Sequence, residues 1–369
     1  MVKLGSIASI KTGKLDSNAA ESDGIYPFFT CSPDTLRINT YAFDQEAILL
    51  AGNNAEGNYT AKYYSGKFNA YQRTYVISSS DSDVYSTRFI GCAITLALKQ
   101  LKDVSQGTST KFLTKAILQD LDIPDYSMQD QLRIVSIMGS LEDCIGVLCK
   151  INDNLLSQLQ LLYNNLLDDA SSNIKIGSIA KIYSGGTPNT STEGYWSGDY
   201  NWLSSGETRN RFISSTEKTI TKSGVDNSST RLAHEYDTVI ASAGQGLTRG
   251  QVSMLFTETY VNQSIIVVNS GEKYAYLIYC NLSNRYEELR NISDSTSIRG
   301  SITTKMIADL EIPDVDTELL SGFNNNAENI LFKIRSNLKE IRCLSFLRDC
   351  LMPKLMSGEI DVSTLEIPN

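Results

Sequence analysis

The side chains best suited to chemistry in this sequence are amides and basic groups that stand beside glycine-rich turns. Arg, Lys, Asn and Gln match the donor and acceptor pairs that base edges present in the DNA major groove, and hydroxyl groups and Lys hold phosphates. These are the residue types that would contact bases and phosphates if the chain binds DNA. In the first half of the chain the candidates are Asn53, Asn54, Lys62, Tyr71, Gln72, Arg73, Gln106, Thr108 and Lys111. In the second half they are Arg209, Arg211, Gln245, Thr248, Arg249, Gln251, Asn262, Gln263, Ser297 and Arg299.

A purely structural role competes with DNA contact at each of these positions. Asn and Gln next to glycine commonly hydrogen-bond to their own backbone in turns. Tyr71 suits a packed strand aromatic better than a base contact. The sequence alone leaves both interpretations open, residue by residue.

The sequence contains no pattern that would carry catalysis or hold a cofactor. The Gly-rich stretch from Ser184 to Pro188 lacks the Gly-Lys-Ser/Thr ending of a phosphate-binding loop. Nuclease carboxylate patterns and the Asn-Pro-Pro-Tyr motif of adenine methyltransferases are absent. A single histidine, His234, and seven cysteines without a Cys-X-X-Cys pair argue against a zinc site. We therefore expect a protein that is not an enzyme and binds no metal itself.

Composition and charge restrict the class of protein further. The 33 basic and 42 acidic residues give a net charge of −9, which argues against indiscriminate binding to nucleic acid but leaves room for a specific local surface. An odd number of scattered cysteines is typical of reduced thiols in the cytoplasm. No apolar run approaches the roughly 18 residues of a membrane span, and the N-terminal residues lack the apolar core of a signal peptide.

Two stretches occur twice, and they define a repeat of two modules. Lys3–Ala8 (KLGSIA) corresponds to Lys175–Ala180 (KIGSIA), and Asp120–Asp125 (DLDIPD) corresponds to Asp309–Asp314 (DLEIPD). The central parts of the two modules match only weakly. A comparison of DQEAILLAGNN with DTVIASAGQG aligns Asn53 with Gln245. A comparison around the next turn aligns Gln72 with Gln263. Short apolar runs closed by Gly, Asn and Ser predict strands and turns. The ends of the two modules are similar, whereas their middles have diverged. This pattern favours two recognition modules with different targets, although gene duplication alone would also explain the similarity.

Each module is followed by apolar residues at alternating steps of four and three, which predicts two long coiled-coil helices. The first, about 60 Å long at 1.5 Å per residue, has the seam Ile134, Met138, Leu141, Ile145, Leu148, Leu155, Leu159, Leu162 and Leu166, with Asn152 in the polar slot. The second has the seam Leu320, Phe323, Ala327, Ile330, Ile334, Ile341, Leu344 and Leu351, with Asn337 in the polar slot. Pro353 is expected to end the second helix because proline lacks a donor and clashes with the preceding turn.

An antiparallel pairing with Asn152 opposite Asn337 aligns the remaining seam residues without a further shift. A buried asparagine can fix the register of paired helices, so we predict that these two residues lie in or next to the same layer. The alternative is two separate amphipathic helices, each packed on its own module. Modules held apart by such a rod could address DNA half-sites about one helical turn apart.

The whole chain resembles the specificity (S) subunit, HsdS, of type I restriction–modification systems. The resemblance is carried by GIYPFFTCSPDTLRINTYAFDQEAILLAGNN, SGKFNAYQRTYVI, KIGSIAKIYSGGTPNTSTEGYWSGDYNWLSSGE and LRDCLMPKLMSGEID. It implies double-stranded DNA as a partner, two methyltransferase (M) subunits docked on the helices, and nuclease/translocase (R) subunits. S-adenosylmethionine, ATP and magnesium would then bind the partner subunits. The short C-terminal tail is a departure, because it leaves little extra chain to cross back to the first module.

The resulting expectation is an α/β (α+β) fold with two similar target recognition domains and an antiparallel coiled coil, related by a pseudo-two-fold axis. The domains are expected at 1–126 and 171–316, the spacer helices at 127–170 and 317–358, and the tail at 359–369. The function implied is recognition of a bipartite, asymmetric DNA target. The alternative is a protein–protein scaffold that does not bind DNA, which the acidic balance keeps open; a steep loss of affinity with salt would favour DNA binding.

Overall fold

The computed structural model describes residues 1–369 except 55–56, 106–110, 169–171, 245–246, 295–299 and 365–369. The chain divides into two compact units, one made of Met1–Gly146 with Cys343–Asn369 and the other of Val147–Arg342. We call these the first and the second unit. Each contains one of the two repeated modules and part of both long helices. Among the described residues, no helix is both long and apolar enough to cross a bilayer.

A mixed sheet with one long helix packed on it forms the core of the first unit. The strands are β1 (Val2–Lys3), β2 (Ala8–Thr12), β3 (Tyr26–Phe29), β4 (Leu36–Ile38), β5 (Phe43–Ala51), β6 (Asn53–Asn54), β7 (Ala61–Ala70), β8 (Thr74–Ser79), β9 (Lys111–Phe112) and β10 (Asp122–Ile123). The helices are α1 (Leu4–Ile7), α2 (Thr87–Val104), α3 (Lys115–Gln119) and the start of α4 (Met128–Asp168). Six strands form one sheet in the order β2-β8-β5-β7-β3-β4.

Strand β5 shows why this sheet is buried on both faces. Its side chains alternate between the faces, so Ile48 and Leu50 enter the core that contains α2, whereas Ala47 and Leu49 enter a second core on the opposite face. A side chain at Gly91 of α2 would lie 2.4 Å from Cδ1 of Ile48, so the helix sits directly on the strand. The near-continuous apolar run in the sequence is therefore a central strand.

The second unit has two smaller sheets. Its strands are β11 (Ser172–Lys175), β12 (Lys181–Ser184), β13 (Trp196–Leu203), β14 (Phe212–Ile213), β15 (Lys218–Ile220), β16 (Arg231–Ala233), β17 (Thr238–Ala241), β18 (Val252–Leu255), β19 (Thr259–Val261), β20 (Ile265–Asn269) and β21 (Glu311–Asp314). Its helices are α5 (Ile176–Ile179), α6 (Lys222–Asp226), α7 (Gly271–Ser283), α8 (Tyr286–Asp294), α9 (Thr304–Asp309) and most of α10 (Thr317–Ser357). The sheet orders are β12-β20-β17-β18-β14 and β15-β13-β19-β16.

The two repeated sequence stretches form a two-stranded clasp that joins the beginning of each module to its end. In the first unit β1 pairs antiparallel with β10, and the backbone N–H of Leu4 donates to Leu121 O at 2.8 Å. In the second unit β11 pairs with β21, and the N–H of Ile176 donates to Leu310 O at 2.9 Å. The Lys3 ammonium lies 3.0 Å from Asp122. The two stretches that recur in the sequence are thus the two partners of one clasp.

The long helices contact each other through the two seam asparagines. Within the second unit, Asn337 Nδ2 donates to Asn152 Oδ1 at 2.8 Å, and both side chains are buried. Beyond this pair, Leu159 and Leu166 of α4 share a core with Ile334 and Phe323 of α10. Residues that follow Asn152 thus pack with residues that precede Asn337, which is the order of antiparallel helices.

The same core includes two side chains that a strict seam leaves out. Tyr163 and Leu331 are buried, whereas their seam neighbours Leu162 and Ile330 are only partly buried. The Tyr163 hydroxyl accepts a hydrogen bond of 2.7 Å from Asn281 Nδ2 of α7. Here the helices therefore pack on their module as well as on each other, and the apolar stripe widens accordingly.

Helix α10 continues past Pro353 to Ser357, so the expectation that this proline ends the helix is wrong. The following turn buries Leu355 and Met356 in the core of the first unit, which offsets the loss of one backbone hydrogen bond. Gly358, with φ +79°, ends the helix in the left-handed conformation that glycine adopts without strain.

The described residues that follow α10 pack on the first module, although the tail is short. Val362 is buried in the same core as Leu4 and Phe89. The Tyr126 hydroxyl lies 3.2 Å from Leu355 O of α10. The expectation that too little chain remains to return to the first module missed this, because the end of α10 already belongs to the first unit.

Candidate nucleic-acid interface

Four backbone segments of the first unit meet at one edge of its sheet. The N–H of Gly52 donates to Arg73 O at 2.8 Å, and the N–H of Leu113 donates to Gly52 O at 2.8 Å. The N–H of Gln72 donates to Leu15 O at 2.9 Å. A side chain at Gly13 would lie 1.9 Å from Ala70 O, so this position has to be glycine. The β7–β8 turn is thereby fixed against its neighbours.

Several predicted DNA-contacting residues come together at this edge. Asn53, Gln72 and Arg73 line a shallow cavity of about 400 Å³ together with Thr12, Gly52, Tyr75, Phe112 and Leu113. Gln72 and Arg73 are exposed at the tip of the turn. Lys111 lies opposite Asn54 in the β6–β9 pair. The edge thus presents amide, guanidinium and ammonium groups from three different segments.

Other candidates in the first unit have local partners. The Lys62 ammonium donates to Pro33 O and to Thr35 Oγ1, and burial lowers the pKa of Lys62. Asn54 Oδ1 accepts a hydrogen bond of 3.0 Å from the N–H of Asn58. Tyr71 is half-buried. These contacts order the surroundings of the edge.

The second unit builds the same frame at the corresponding edge. The N–H of Ser242 donates to Ser264 O at 2.8 Å, and the N–H of Ile302 donates to Ser242 O at 2.9 Å. A side chain at Gly185 would lie 1.9 Å from Val261 O. Gly13, Gly52, Arg73 and Leu113 of the first unit therefore correspond to Gly185, Ser242, Ser264 and Ile302.

Strand register corrects one part of the sequence comparison. Ala51 pairs with Thr74 in the first unit, and Ala241 pairs with Ile265 in the second. The backbone equivalent of Asn53 is consequently Ala243, and the alignment of Asn53 with Gln245 is two residues out of step. The alignment went wrong because both stretches contain the letters Ala-Gly followed by an amide, whereas the hydrogen-bond ladder determines the true register.

The two amide side chains of the turn at Asn262 and Gln263 have different roles. Asn262 is buried, and its Oδ1 accepts a hydrogen bond of 3.0 Å from the N–H of Ser264, so it shapes the turn. Gln263 is exposed, and its Oε1 accepts a hydrogen bond from Thr187 Oγ1. Gln263 and Gln72 thus occupy corresponding exposed positions.

Arg249 is held by the protein itself. Its side chain is only 12% exposed and forms an ion pair with Asp294 of α8, and its Nη1 donates to Gly300 O at 3.3 Å. The Tyr286 hydroxyl donates to Leu247 O at 2.9 Å. The segment containing Thr248 and Arg249 is therefore anchored on α8.

Arg209, Arg211 and Gln251 lie beside the anchored segment, whose Leu247 and Gly250 line the same cleft. They line an open cleft of about 930 Å³ whose opposite wall is α4, with Leu156, Gln160 and Leu161 among its residues. Arg209 forms an ion pair with Glu217, and Arg211 is exposed. The structure thus divides the candidates of the second unit between a turn, an anchored segment and a cleft.

Five predicted contact residues fall outside the described residues, namely Gln106, Thr108, Gln245, Ser297 and Arg299.

One described residue that the sequence analysis missed is Phe112, which is 41% exposed beside Gln72 and Arg73. Phe112 directly follows the hydroxyl-rich stretch 105–111, which ends at Lys111. This position was the signal in the sequence that would have identified Phe112 as a candidate. Among the described residues, no group of three or more His, Cys, Asp or Glu side chains could hold a metal ion.

Comparison with known proteins identifies the family. Residues 1–157 and 169–318 match the model of the type I restriction modification DNA specificity domain. The chain is 39% identical over 140 residues to the type I restriction enzyme EcoDI specificity subunit of Escherichia coli, covering 38% of this chain and 30% of that protein. It is 23% identical over 297 residues to the MjaIX specificity subunit of Methanocaldococcus jannaschii, covering 72% and 66% of the two chains.

The fold agrees with that assignment. The crystal structure of the S subunit of a type I restriction–modification system from M. genitalium superposes with a TM-score of 0.61 at 15% identity, covering 96% of this chain and 95% of the other. The alignments with the E. coli and M. jannaschii proteins span less than two thirds of those relatives. The chain belongs to the type I restriction modification DNA specificity domain family, and it contains two such domains.

Proposed function

We propose that this chain is the DNA sequence-specificity subunit of a type I restriction–modification complex. In this role it reads a bipartite, asymmetric target, one half with each module, and performs no chemistry itself. The observation that carries the proposal is the hydrogen-bonded edge that recurs in both units. Each copy presents an exposed glutamine at the same position of the same turn, and glutamine can pair bidentately with adenine.

The differences between the two edges support two different half-sites. Where the first unit has Asn53, Arg73 and Phe112, the backbone equivalents in the second are Ala243, Ser264 and Ser301. The extra chain of the second module lies between Gly185 and Ser242, where β13 to β16 and α6 replace the short β3–β4 pair. The backbone hydrogen bonds of the edge correspond in both units, whereas the side chains at these positions differ.

Docking of two M subunits on the long helices belongs to the same proposal, and R subunits would join through them. Residues 127–170 carry two basic and six acidic groups, which disfavours DNA contact along α4. Large apolar side chains are exposed on the helices, including Phe332 in the second unit and Phe346 in the first, at 68% and 71%. A monomeric surface rarely leaves such residues uncovered in groups. S-adenosylmethionine, ATP and magnesium would act on the partner subunits.

The test is the methylation pattern of cells that carry this chain together with its M subunit. The wild-type pair should give a split motif with a modified adenine in each half. Gln72→Ala should relax or abolish one half of the motif, and Gln263→Ala should affect the other half. Changes in both halves from a single variant would contradict the assignment of one module to one half-site.

A protein–protein scaffold is the competing function. The S–M complex should bind target DNA with an affinity that falls steeply as salt rises, because phosphate contacts release counterions. DNA affinity should also rise sharply when M subunits are added to this acidic chain. Salt-independent binding, or no methylated motif with active M protein present, would favour the scaffold.

A further inference from the structure

The cavity at the edge of the first unit has one aromatic wall that is open to solvent. Phe112 lies directly opposite Asn53 in the β6–β9 pair, so the two side chains project to the same side. Phe112 is 41% exposed. Tyr75, whose hydroxyl donates to Leu113 O at 2.8 Å, contributes to the same lining. An exposed ring beside polar groups provides a surface on which a planar ligand can stack.

The polar lining of the cavity has hydrogen-bonding capacity left over. Asn53 Oδ1 is buried, yet it accepts no hydrogen bond from any described residue. The Arg73 guanidinium is exposed and forms no ion pair within the described part of the chain. A buried acceptor without a partner destabilises the protein, so a ligand that donates a hydrogen bond to Asn53 would offset that cost.

We propose that this cavity receives one unstacked base of the first half-site, stacked on Phe112 and donating its exocyclic amino group to Asn53 Oδ1. This inference rests on the proposed function and specifies its ligand. An engineered cavity of about 150 Å³ accommodates benzene, so about 400 Å³ is ample for one base. Enzymes that extrude bases hold them in the same way, between aromatic or apolar walls with hydrogen bonds to the base edge. The amino group selects adenine, cytosine or guanine over thymine.

The second unit lacks these groups on the same frame. Its equivalents of Asn53, Arg73 and Phe112 are alanine, serine and serine. At these three equivalent positions the second unit therefore has neither an aromatic ring nor a side-chain amide. Base capture is confined to the half-site that the first module reads, and the second half-site serves as an internal reference.

The experiment uses the complete complex of this chain with its M subunits, once the methylation motif has been determined. Each position of both half-sites is replaced in turn by 2-aminopurine, whose fluorescence rises when it is unstacked. Extrusion of the adenine that is methylated raises the fluorescence at one position in each half-site. We expect the fluorescence to rise at one additional position, in the first half-site only. Phe112→Ser, which installs the residue of the second module, should remove the additional rise, and Phe112→Tyr should keep it.

The outcomes separate this inference from the proposed function. A methylated bipartite motif without any additional rise, or an additional rise that survives Phe112→Ser, overturns the base pocket and leaves the specificity subunit intact. Absence of any motif overturns the proposed function. Asn53→Ala is the second variant, expected to weaken the additional rise. An unchanged signal in the second half-site shows that each variant still folds and assembles.

Discussion

The side-chain amide of Asn337 donates a hydrogen bond of 2.8 Å to Asn152 Oδ1, although 185 residues separate the two in the chain. Asn337 is fully buried, and its own Oδ1 accepts no hydrogen bond from the described residues. The pair is therefore only half-satisfied. Such an arrangement costs stability compared with an apolar layer, and we propose that its benefit is to fix the register of the two helices.

Replacing one asparagine should harm the protein more than replacing both. Asn152→Leu leaves the Asn337 amide buried without a partner, which we expect to lower the free energy of unfolding by about 1–3 kcal/mol. The double variant Asn152→Leu/Asn337→Leu removes both polar groups and should unfold at a higher temperature than either single variant. Thermal unfolding of the four proteins measures this. A double variant that is less stable than both single variants would contradict this account.

Gly13 and Gly146 should respond to alanine in opposite directions. A Cβ at Gly13 would lie 1.9 Å from Ala70 O, so Gly13→Ala must displace the β7–β8 turn. We expect a lower melting temperature together with weaker reading of the first half-site. Gly146, inside α4, has no neighbour within 4 Å of the position of a Cβ among the described atoms. Gly146→Ala should stabilise the helix by up to about 1 kcal/mol and leave methylation unchanged.

Arg249 and Asp294 should act as one anchor. If their ion pair holds the segment on α8, Asp294→Asn will weaken reading of the second half-site to a similar degree as Arg249→Ala. If Arg249 instead contacts DNA directly, Arg249→Ala will weaken reading of the second half-site and Asp294→Asn will not. Methylation levels of both variants, compared with Gln263→Ala, distinguish these cases. The charge-reversed pair Arg249→Asp/Asp294→Arg should recover part of the loss only in the first case.

Helix length should determine the unread spacer of the target. Inserting one heptad into α4 and a matching heptad into α10 keeps the apolar stripe in phase and adds about 10 Å to each helix at 1.5 Å per residue. We propose that the methylated motif then contains a longer spacer while both half-sites stay the same. An insertion of four residues, which shifts the stripe, serves as the control and should abolish methylation. An unchanged spacer after the heptad insertion would show that the helices do not set it.

The sequence predicted the features that depend on local periodicity and repetition. The two long helices, Met128–Asp168 and Thr317–Ser357, lie within two residues of the expected bounds 127–170 and 317–358, because a sustained apolar stripe has a single helical interpretation. The contact of Asn152 with Asn337 followed from the same stripe. Pro353 was misjudged because tertiary burial of Leu355 and Met356 outweighs one missing backbone donor.

The candidate site was harder to predict because it depends on which segments meet. Nothing in the letters shows that Asn53 faces Phe112, or that the Arg249 side chain is directed to Asp294. The first depends on a two-residue strand pair, and the second on a helix 45 residues further along the chain. Composition pointed to these turns, but only the backbone hydrogen bonds show which side chains the turns present.

The clasps formed by β1 with β10 and by β11 with β21 bring the entry and the exit of each module to neighbouring backbone atoms. Because chain direction and position are fixed at this point, the interior of a module can be lengthened, shortened or exchanged without moving the helix that follows. The second module already carries a larger interior on a corresponding clasp. In genetic terms each module is a cassette with standard ends. A new recognition sequence could thus arise by recombination between the two repeated stretches, in one step and without redesign of the rest of the chain.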